Sequence, residues 1–283
     1  MAHLPLRRLV GVGGEGRRHR RLREHGIVRV SPVTVGVSLK AYFDRDRARR
    51  WFDVVAAEVG THPAVRAGAV EVFVAPTYLQ IDDAVRAFRD TPIAVAAQDV
   101  SAHGDGAFTG EVSAAELTRS GVTLAEIGHA ERRRLYRETD ADVAAKVAAA
   151  LAEGVVPVLC LGESTREDAA AAAAATLAQL RAATHAAPAG RLVVAYEPVW
   201  AIGADAPAPV AHVAAVTRAL RVALDADAAR AGSAVVYGGS AGPGLLARLG
   251  DAVDGLFLGR FAHDPAAFRA VVDEAARMPG LAP

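Results

Sequence analysis

Short apolar runs alternate with longer, Ala-rich amphipathic stretches from Val33 onward. The apolar runs have the length and composition of buried parallel strands, and the stretches between them are typical of helices. The predicted strands are residues 34–37, 70–75, 93–97, 124–127, 156–161, 192–195, 234–236 and 255–258. The predicted helices are residues 45–59, 78–89, 113–120, 140–153, 166–185, 209–229, 243–249 and 265–276.

Eight strands that are each followed by a helix predict an α/β protein with a single closed (β/α)₈ barrel. An open doubly wound sheet fits less well, because no Gly-x-Gly-x-x-Gly sequence follows the first strand. A chain of 283 residues with 52% hydrophobic positions can bury one large core. Residues 32–283 are therefore predicted to form one barrel domain.

Residues 1–31 differ from the rest of the chain, because arginines crowd around glycines there with neither a helical nor a strand period. This composition predicts a disordered basic tail, or a start codon assigned too far upstream. A transit peptide is the alternative, although the segment has little Ser and no clear amphipathic face.

Composition and charge narrow the class of protein. The formal net charge is zero, so no overall field attracts nucleic acid or a membrane surface. Because no apolar run reaches the length of a transmembrane helix, no membrane association is expected. Cys160 is the one cysteine of the sequence, which excludes an internal disulfide and favours a reduced, cytoplasmic enzyme.

In a (β/α)₈ barrel, reactive groups gather at the carboxyl ends of the strands. Glu197 lies where the sixth predicted strand ends, and Pro198 then forces the chain out of the sheet into a loop that runs to Pro207. A loop with stiff ends and a Trp inside it is suited to act as a lid. The other residues at predicted strand ends are 38–40, Gln98, His129, 162–163, 238–240 and 259–260.

These strand ends supply a carboxylate, an imidazole and an ammonium, together with two Gly-containing turns. Glycines with a Ser, as at 238–240, are suited to hold a phosphate through backbone N–H groups. The set predicts proton transfer beside a carbonyl group in a small phosphorylated substrate. Each of these residues also has a structural interpretation, and for Glu163 the structural alternative is a pairing with a neighbouring arginine that fixes the barrel mouth.

From about Val35 to about Phe268 the sequence resembles the triosephosphate isomerase family, whose fold is the TIM barrel. Each motif alone is weak, but the ordered set is highly specific. The motifs are Ala-Gln-Asp-Val at 97–100, Gly-Ala-Phe-Thr-Gly-Glu-Val-Ser at 106–113, Ile-Gly-His-Ala-Glu-Arg-Arg at 127–133, Cys-Leu-Gly-Glu at 160–163, Tyr-Glu-Pro-Val-Trp-Ala-Ile-Gly at 196–203 and Tyr-Gly-Gly-Ser at 237–240.

The resemblance implies catalytic roles for three residues. Glu197 is implied as the base that moves a proton between adjacent carbons, and His129 as the neutral imidazole that polarises the carbonyl. Lys40 is implied as the cation that stabilises the enediolate, with Glu131 supporting it. No metal or other cofactor is implied, since a neutral donor in a closed, dry site polarises the carbonyl.

The family's phosphate-binding positions also have counterparts, and the resemblance implies a short phosphorylated sugar as substrate. Gly203 in the lid, Ser240, Gly259 and Arg260 match those positions. The loop at 104–111 matches the one that enters the neighbouring subunit in the family, so a homodimer is expected.

Several positions depart from the family's usual pattern, all of them around the substrate. Ser38 replaces an Asn that contacts substrate, Ala130 replaces the Ser after the histidine, and Arg260 replaces a glycine of the phosphate turn. The lid tip at 204–206 also differs. Because Glu197, His129 and Lys40 are present, the pattern indicates the same chemistry on an altered substrate.

Three hypotheses follow, and the sequence ranks triosephosphate isomerase narrowly first. The second is an isomerase of a four-carbon ketose phosphate such as an erythrulose phosphate, because Ser38 leaves room for an extra hydroxymethyl group. The third is a barrel that binds a phosphorylated metabolite without turnover.

Overall fold

The computed structural model describes residues 32–278. Its eight parallel strands pair in sequence order, and the first strand closes on the eighth. The predicted single (β/α)₈ barrel is therefore confirmed. The strands are β1 Val33–Ser38, β2 Val70–Ala75, β3 Ala94–Ala97, β4 Leu124–Ile127, β5 Val156–Leu161, β6 Val193–Tyr196, β7 Ala234–Tyr237 and β8 Gly255–Leu258.

The helices pack around the outside of the barrel. Their apolar faces and the outer faces of the strands form one large buried cluster, as the amphipathic pattern predicts. The helices are α1 Arg45–Glu58, α2 Pro63–Arg66, α3 Ile81–Phe88, α4 Ala114–Arg119, α5 Ala130–Tyr136, α6 Asp140–Ala152, α7 Ala169–Thr184, α8 Val210–Asp225, α9 Leu245–Leu249 and α10 Pro265–Ala275.

Two short helices, α2 and α5, were not predicted from the sequence. Helix α2 has only 4 residues, too few to show a helical period. Helix α5 has no buried residue, so it has no apolar stripe to recognise. The prediction for residues 1–31 lies outside the described residues, and the domain boundary at residue 32 stays a prediction.

Capping side chains fix where several helices begin, and they are readable in the sequence. Asp44 accepts a hydrogen bond from the N–H of Arg47 at the start of α1. Thr139 and Asp142 form a reciprocal capping box at the start of α6. At α10, Asp264 is the cap and Pro265 the first helical residue, which suits the fixed backbone angle of proline.

The inside of the barrel is a second, smaller apolar cluster. Phe73 and Phe257 pack there with ring centroids 5.7 Å apart. Gly36 makes room for them, because a Cβ at that position would overlap the Phe73 ring. The other buried members are Ala75, Ala96, Leu124, Val158, Cys160, Val193, Ala195 and Val236. The interior is thus filled below its carboxyl-terminal mouth, where the candidate site lies.

No helix in the described part of the chain is long and apolar enough to cross a membrane.

Candidate active site

The three residues singled out as catalytic candidates meet at one cavity of about 660 Å³ at the carboxyl end of the barrel. Nε2 of His129 lies 3.4 Å from Oε2 of Glu197. The same nitrogen lies 3.1 Å from Nζ of Lys40. These groups come from the ends of β6, β4 and β1, so the closed barrel is what brings them together.

Glu197 follows β6, and its backbone N–H donates to the carbonyl of Leu161 at 2.7 Å. Gly162 and Gly238 flank it, and a Cβ at either position would overlap Glu197. The carboxyl is buried, and Oε2 has no hydrogen-bond partner among the described residues. Burial, aided by repulsion from Glu126, raises the pKa of Glu197 to about 8.

His129 follows Gly128, whose φ of 73° turns the chain out of β4. The ring caps helix α5, because Nδ1 accepts a hydrogen bond from the N–H of Glu131 at 3.1 Å. In the neutral ring the proton therefore lies on Nε2, which faces Glu197. Burial and the nearby Lys40 ammonium lower the pKa of His129 to about 4, so the imidazole is neutral at physiological pH.

Lys40 has a left-handed backbone conformation, with φ of 48°. The side-chain amide of Gln98 holds this turn by donating to the carbonyls of Lys40 at 3.0 Å and Ala75 at 2.9 Å. Nζ of Lys40 forms an ion pair of 2.9 Å with Oε1 of Glu131. Burial acts to lower the pKa of Lys40, but the surrounding carboxylates, led by Glu131, outweigh it and raise the pKa. The ammonium is therefore charged.

The structure adds a buried carboxylate that the sequence prediction missed. Glu126 lies on β4, and its Oε2 accepts a hydrogen bond of 2.9 Å from Oγ of Ser38. Burial raises the pKa of Glu126 to about 7. One signal was available in the sequence: Glu126 is the one charged residue of the predicted strand 124–127, in a class of strand that is buried on both faces.

The residues expected to bind phosphate line the same cavity: Gly203, Ser240, Gly259 and Arg260. Ser240 has a left-handed conformation, with φ of 44°. Its hydroxyl donates to the lid carbonyls of Ala201 at 3.0 Å and Ala204 at 2.8 Å. This turn and the lid are thus held side by side. A Cβ on Gly203 would lie 4.0 Å from Nη2 of Arg260, which places that guanidinium at the lid.

The lid is anchored at both ends by hydrogen bonds. At its start, Glu163 accepts from Nε1 of Trp200 at 2.9 Å and from the hydroxyl of Tyr196 at 3.0 Å. Nε2 of His212 also lies 3.0 Å from Oε1 of Glu163. The interpretation of Glu163 as the partner of an arginine is therefore wrong, because Tyr196, Trp200 and His212 contact it instead. At the far end, the N–H of Ala208 donates to the hydroxyl of Tyr237 at 2.9 Å.

The loop at 104–111 lies apart from the cavity. Phe108 is 41% exposed, and its ring stacks on His103 with centroids 4.1 Å apart. Ser113, at the base of the loop, donates to Oδ1 of Asp105 at 2.5 Å. Among residues 32–278, no group of three or more His, Cys, Asp or Glu side chains is placed to hold a metal ion.

A barrel of this kind, with a buried carboxylate, a neutral imidazole and an ammonium beside Gly-containing turns, has the features of an isomerase of sugar phosphates. Residues 33–275 match the triosephosphate isomerase family, and the chain belongs to that family. It is therefore an isomerase that acts on short sugar phosphates.

Individual relatives differ in the activity that they carry. The chain is 47% identical over 247 residues to an L-erythrulose-1-phosphate isomerase of Pectobacterium atrosepticum, covering 86% of this chain and 95% of the relative. It is 41% identical over 214 residues to a triosephosphate isomerase of Leifsonia xyli, covering 72% and 83%. A triosephosphate isomerase structure from Bartonella henselae has a TM-score of 0.71 at 24% identity, covering 85% of this chain and 97% of that one, and supports the fold.

Proposed function

We propose that this protein isomerises a four-carbon ketose phosphate, L-erythrulose 1-phosphate, by moving its carbonyl group from C2 to C3. The reaction type is supported by the convergence of Glu197, His129 and Lys40 at one buried cavity. The substrate is supported by the relative that is 47% identical over 95% of its own length. Ser38 lines the cavity, and its short side chain agrees with a substrate longer than a triose.

Glu197 acts as the base. Its carboxylate takes the proton from C3 of the ketose, which leaves an enediolate across C2 and C3, and then returns a proton to C2. The raised pKa makes Glu197 a stronger base than an ordinary carboxylate. Because Oε2 has no hydrogen-bond partner among the described residues, it is available to the substrate carbon.

His129 exchanges protons with the two substrate oxygen atoms, at C2 and C3. Its neutral Nε2–H donates to the carbonyl oxygen at C2 and polarises it. As the hydroxyl oxygen at C3 becomes the new carbonyl, its proton passes through the same nitrogen to the oxygen at C2. Lys40, held by Glu131, stabilises the negative charge that develops between these steps.

The phosphate group is held on the lid side of the cavity. Backbone N–H groups at Gly203, Ser240 and Gly259 are suited to phosphate oxygens, and the Arg260 guanidinium adds a charged donor next to the lid. Closure of the lid over this end excludes water from the enediolate.

Triosephosphate isomerase is the second candidate, and a specific observation favours it. Relatives with that name are 41% and 36% identical to this chain, and the second covers 86% of it. The chemical groups would act in the same way on three carbons.

A homodimer formed through the 104–111 loop and a cytoplasmic location complete the proposal.

The choice of substrate is tested by steady-state kinetics on one preparation. We expect kcat/KM for L-erythrulose 1-phosphate to exceed that for glyceraldehyde 3-phosphate by about 100-fold, since a site shaped for an extra hydroxyl group leaves polar atoms unpaired with the shorter substrate. A value for the triose near the diffusional ceiling of about 10⁸ M⁻¹s⁻¹, with weak four-carbon turnover, would reverse the proposal.

The role of Glu197 is tested by Glu197→Gln, which removes the base but keeps its shape. We expect kcat to fall by about 10³-fold, in the range that general base catalysis contributes, while a phosphate-containing inhibitor still binds. Glu153→Gln is the matched control, because Glu153 is exposed at the end of α6. An unchanged kcat in Glu197→Gln would show that another group removes the proton.

A further inference from the structure

The Ser38–Glu126 pair has no part in the proton transfer described above, although Ser38 lines the same cavity and Glu126 is buried next to it. Glu126 is 4% exposed and Ser38 is 3% exposed. Glu126 faces the barrel interior, because it pairs in register with Val158 and alternates with Leu124, both of the inner apolar cluster. An apolar residue there would avoid the cost of burying a carboxyl group, so packing does not explain the acid.

The direction of the hydrogen bond decides what the Ser38 hydroxyl offers to a substrate. The Ser38 hydroxyl donates a hydrogen bond of 2.9 Å to Oε2 of Glu126, a direction fixed by the ionised carboxylate, which prevails above the Glu126 pKa of about 7. The lone pairs of the serine oxygen are then left for another donor. Because Ser38 lines the cavity, it presents an acceptor to whatever binds there.

Glu126 brings the pair close to the atom that serves the reacting carbons. Ser38 ends β1, the neighbour of β8 and its phosphate turn, whereas Glu126 lies on β4, across the closed barrel from β8, so the hydrogen bond between them spans the barrel interior. Oε1 of Glu126 is 3.9 Å from Nε2 of His129, the atom proposed to serve both substrate oxygens. A hydroxymethyl group on the reacting carbon therefore extends toward this pair.

We infer that Ser38 accepts a hydrogen bond from the terminal hydroxyl group of a four-carbon ketose phosphate, and that Glu126 is the positioning residue that keeps Ser38 oriented as an acceptor. This inference rests on the proposed four-carbon activity. A three-carbon substrate has no hydroxymethyl group at this place, so the pair selects for chain length. The Asn expected here from the family's pattern would fill part of this space with a larger side chain.

Binding of two inert ligands tests the inference without turnover. Glycerol 3-phosphate and erythritol 4-phosphate have no carbonyl group, and they differ by one hydroxymethyl unit. By calorimetry we expect the wild-type protein to bind the four-carbon ligand about tenfold more tightly, as one added hydrogen bond allows. Ser38→Ala and Glu126→Leu are each expected to bring this ratio close to one.

Coupling and rescue distinguish positioning from a general structural role. The double variant Ser38→Ala with Glu126→Leu is expected to lose no more discrimination than Ser38→Ala alone, because Glu126 acts through the serine. Glu126→Gln is expected to restore most of the ratio, since its amide oxygen still accepts from Ser38. Additive losses, or equal weakening of both ligands in the single variants, would overturn the inference.

Glu71→Leu is the matched control. Glu71 lies on the neighbouring strand β2, and its Oε2 accepts a hydrogen bond of 3.2 Å from Thr34 in the same way. Because that pair lies outside the cavity, the ligand ratio is expected to match the wild type. Each variant is checked for its thermal unfolding midpoint before binding is compared.

The kinetic measurement on the wild-type protein separates this inference from the proposed function. Fast four-carbon turnover with an unchanged ligand ratio in Ser38→Ala and Glu126→Leu contradicts the inference alone. Tighter binding of the four-carbon ligand that depends on both residues, combined with fast turnover of the triose only, contradicts the proposed function and supports the assigned hydroxyl contact.

Discussion

At the scale of residues, two buried carboxyl groups lie close to one imidazole ring: Glu197 lines the cavity, and Glu126 is buried next to it. Glu197 and Glu126 repel one another when both are ionised, and this repulsion adds to the effect of burial on the pKa of Glu197. Lys40 acts in the opposite direction on both. The protonation state of the site therefore depends on all three groups together.

The pH dependence of the free enzyme follows from the raised pKa of Glu197. A base acts only when deprotonated, so kcat/KM is expected to rise with pH through a midpoint near the Glu197 pKa of about 8, and not near the ordinary carboxyl value of 4.5. The measurement is a pH–rate profile with a correction for the phosphate ionisation of the substrate. An acidic limb that is complete by pH 6 would contradict the assignment.

Glu126→Leu supplies the matching variant for this profile. Because Glu126 raises the pKa of Glu197, its removal is expected to move the acidic limb to lower pH. Glu71→Leu, at a carboxylate outside the cavity, is expected to leave the limb in place.

The sequence predicts which candidate catalytic residues meet, but it does not predict every contact that they and their neighbours make. Glu197, His129 and Lys40 follow strands, and the barrel topology alone brings strand ends together, so their meeting was predictable. The partner of Ser38 was not, because a contact between residues 38 and 126 depends on which side chains face the interior at the same depth. Cys160 is buried in the inner cluster, as expected of a small core residue.

At the scale of elements, hydrogen bonds outside the cavity hold the lid at both of its ends. The first lid residues form a short 3₁₀ turn, Val199–Ala201, whose Trp200 donates to Glu163. Pro198 and Pro207 made a stiff-ended loop predictable. The anchors were not predictable, since the sequence does not show that Glu163 contacts Tyr196, Trp200 and His212 in place of an arginine.

Trp200→Phe tests the first anchor. The ring is retained but the N–H donor to Glu163 is lost, so the lid is held less firmly and kcat is expected to fall by about tenfold, as loss of one hydrogen bond of ~1.4 kcal/mol allows. Stopped-flow and steady-state kinetics measure the effect. An unchanged kcat would show that this hydrogen bond does not limit lid closure.

Trp51→Phe is the control for that prediction. Nε1 of Trp51 donates to the carbonyl of Ala262 at 2.9 Å in the buried core between α1 and the turn that follows β8. Loss of this bond is expected to lower the free energy of unfolding by about 1 kcal/mol while kcat stays unchanged. The two variants thus separate lid function from stability.

At the scale of the whole molecule, the barrel explains why the fold was more predictable than the site. Alternation of apolar runs and amphipathic stretches specifies strands and helices, and eight such units close in sequence order. Helix α5 escaped prediction because none of its residues is buried. Its start is fixed instead by His129, a residue of the candidate site.

Assembly is predicted through the 104–111 loop. Phe108, exposed in the described chain, is the large apolar side chain of this loop and is expected to be covered by a second copy. Sedimentation of the wild-type protein should give twice the chain mass of 29.3 kDa, and Phe108→Asp should give the mass of one chain. Tyr136→Asp, at an exposed aromatic on α5, is the control and should keep the wild-type mass. A wild-type monomer at micromolar concentration would contradict the prediction.

The packed interior below the cavity determines how substrate enters the site and how product leaves it. In the described part of the chain, Phe73, Phe257 and their neighbours fill the barrel beneath the site, so no passage leads out through the base. Substrate and product must enter and leave through the same opening under the lid, and they cannot occupy the cavity at the same time. Product is therefore expected to inhibit competitively with respect to substrate. Changes in the surface loops alone would not open a second exit, because the barrel interior is packed.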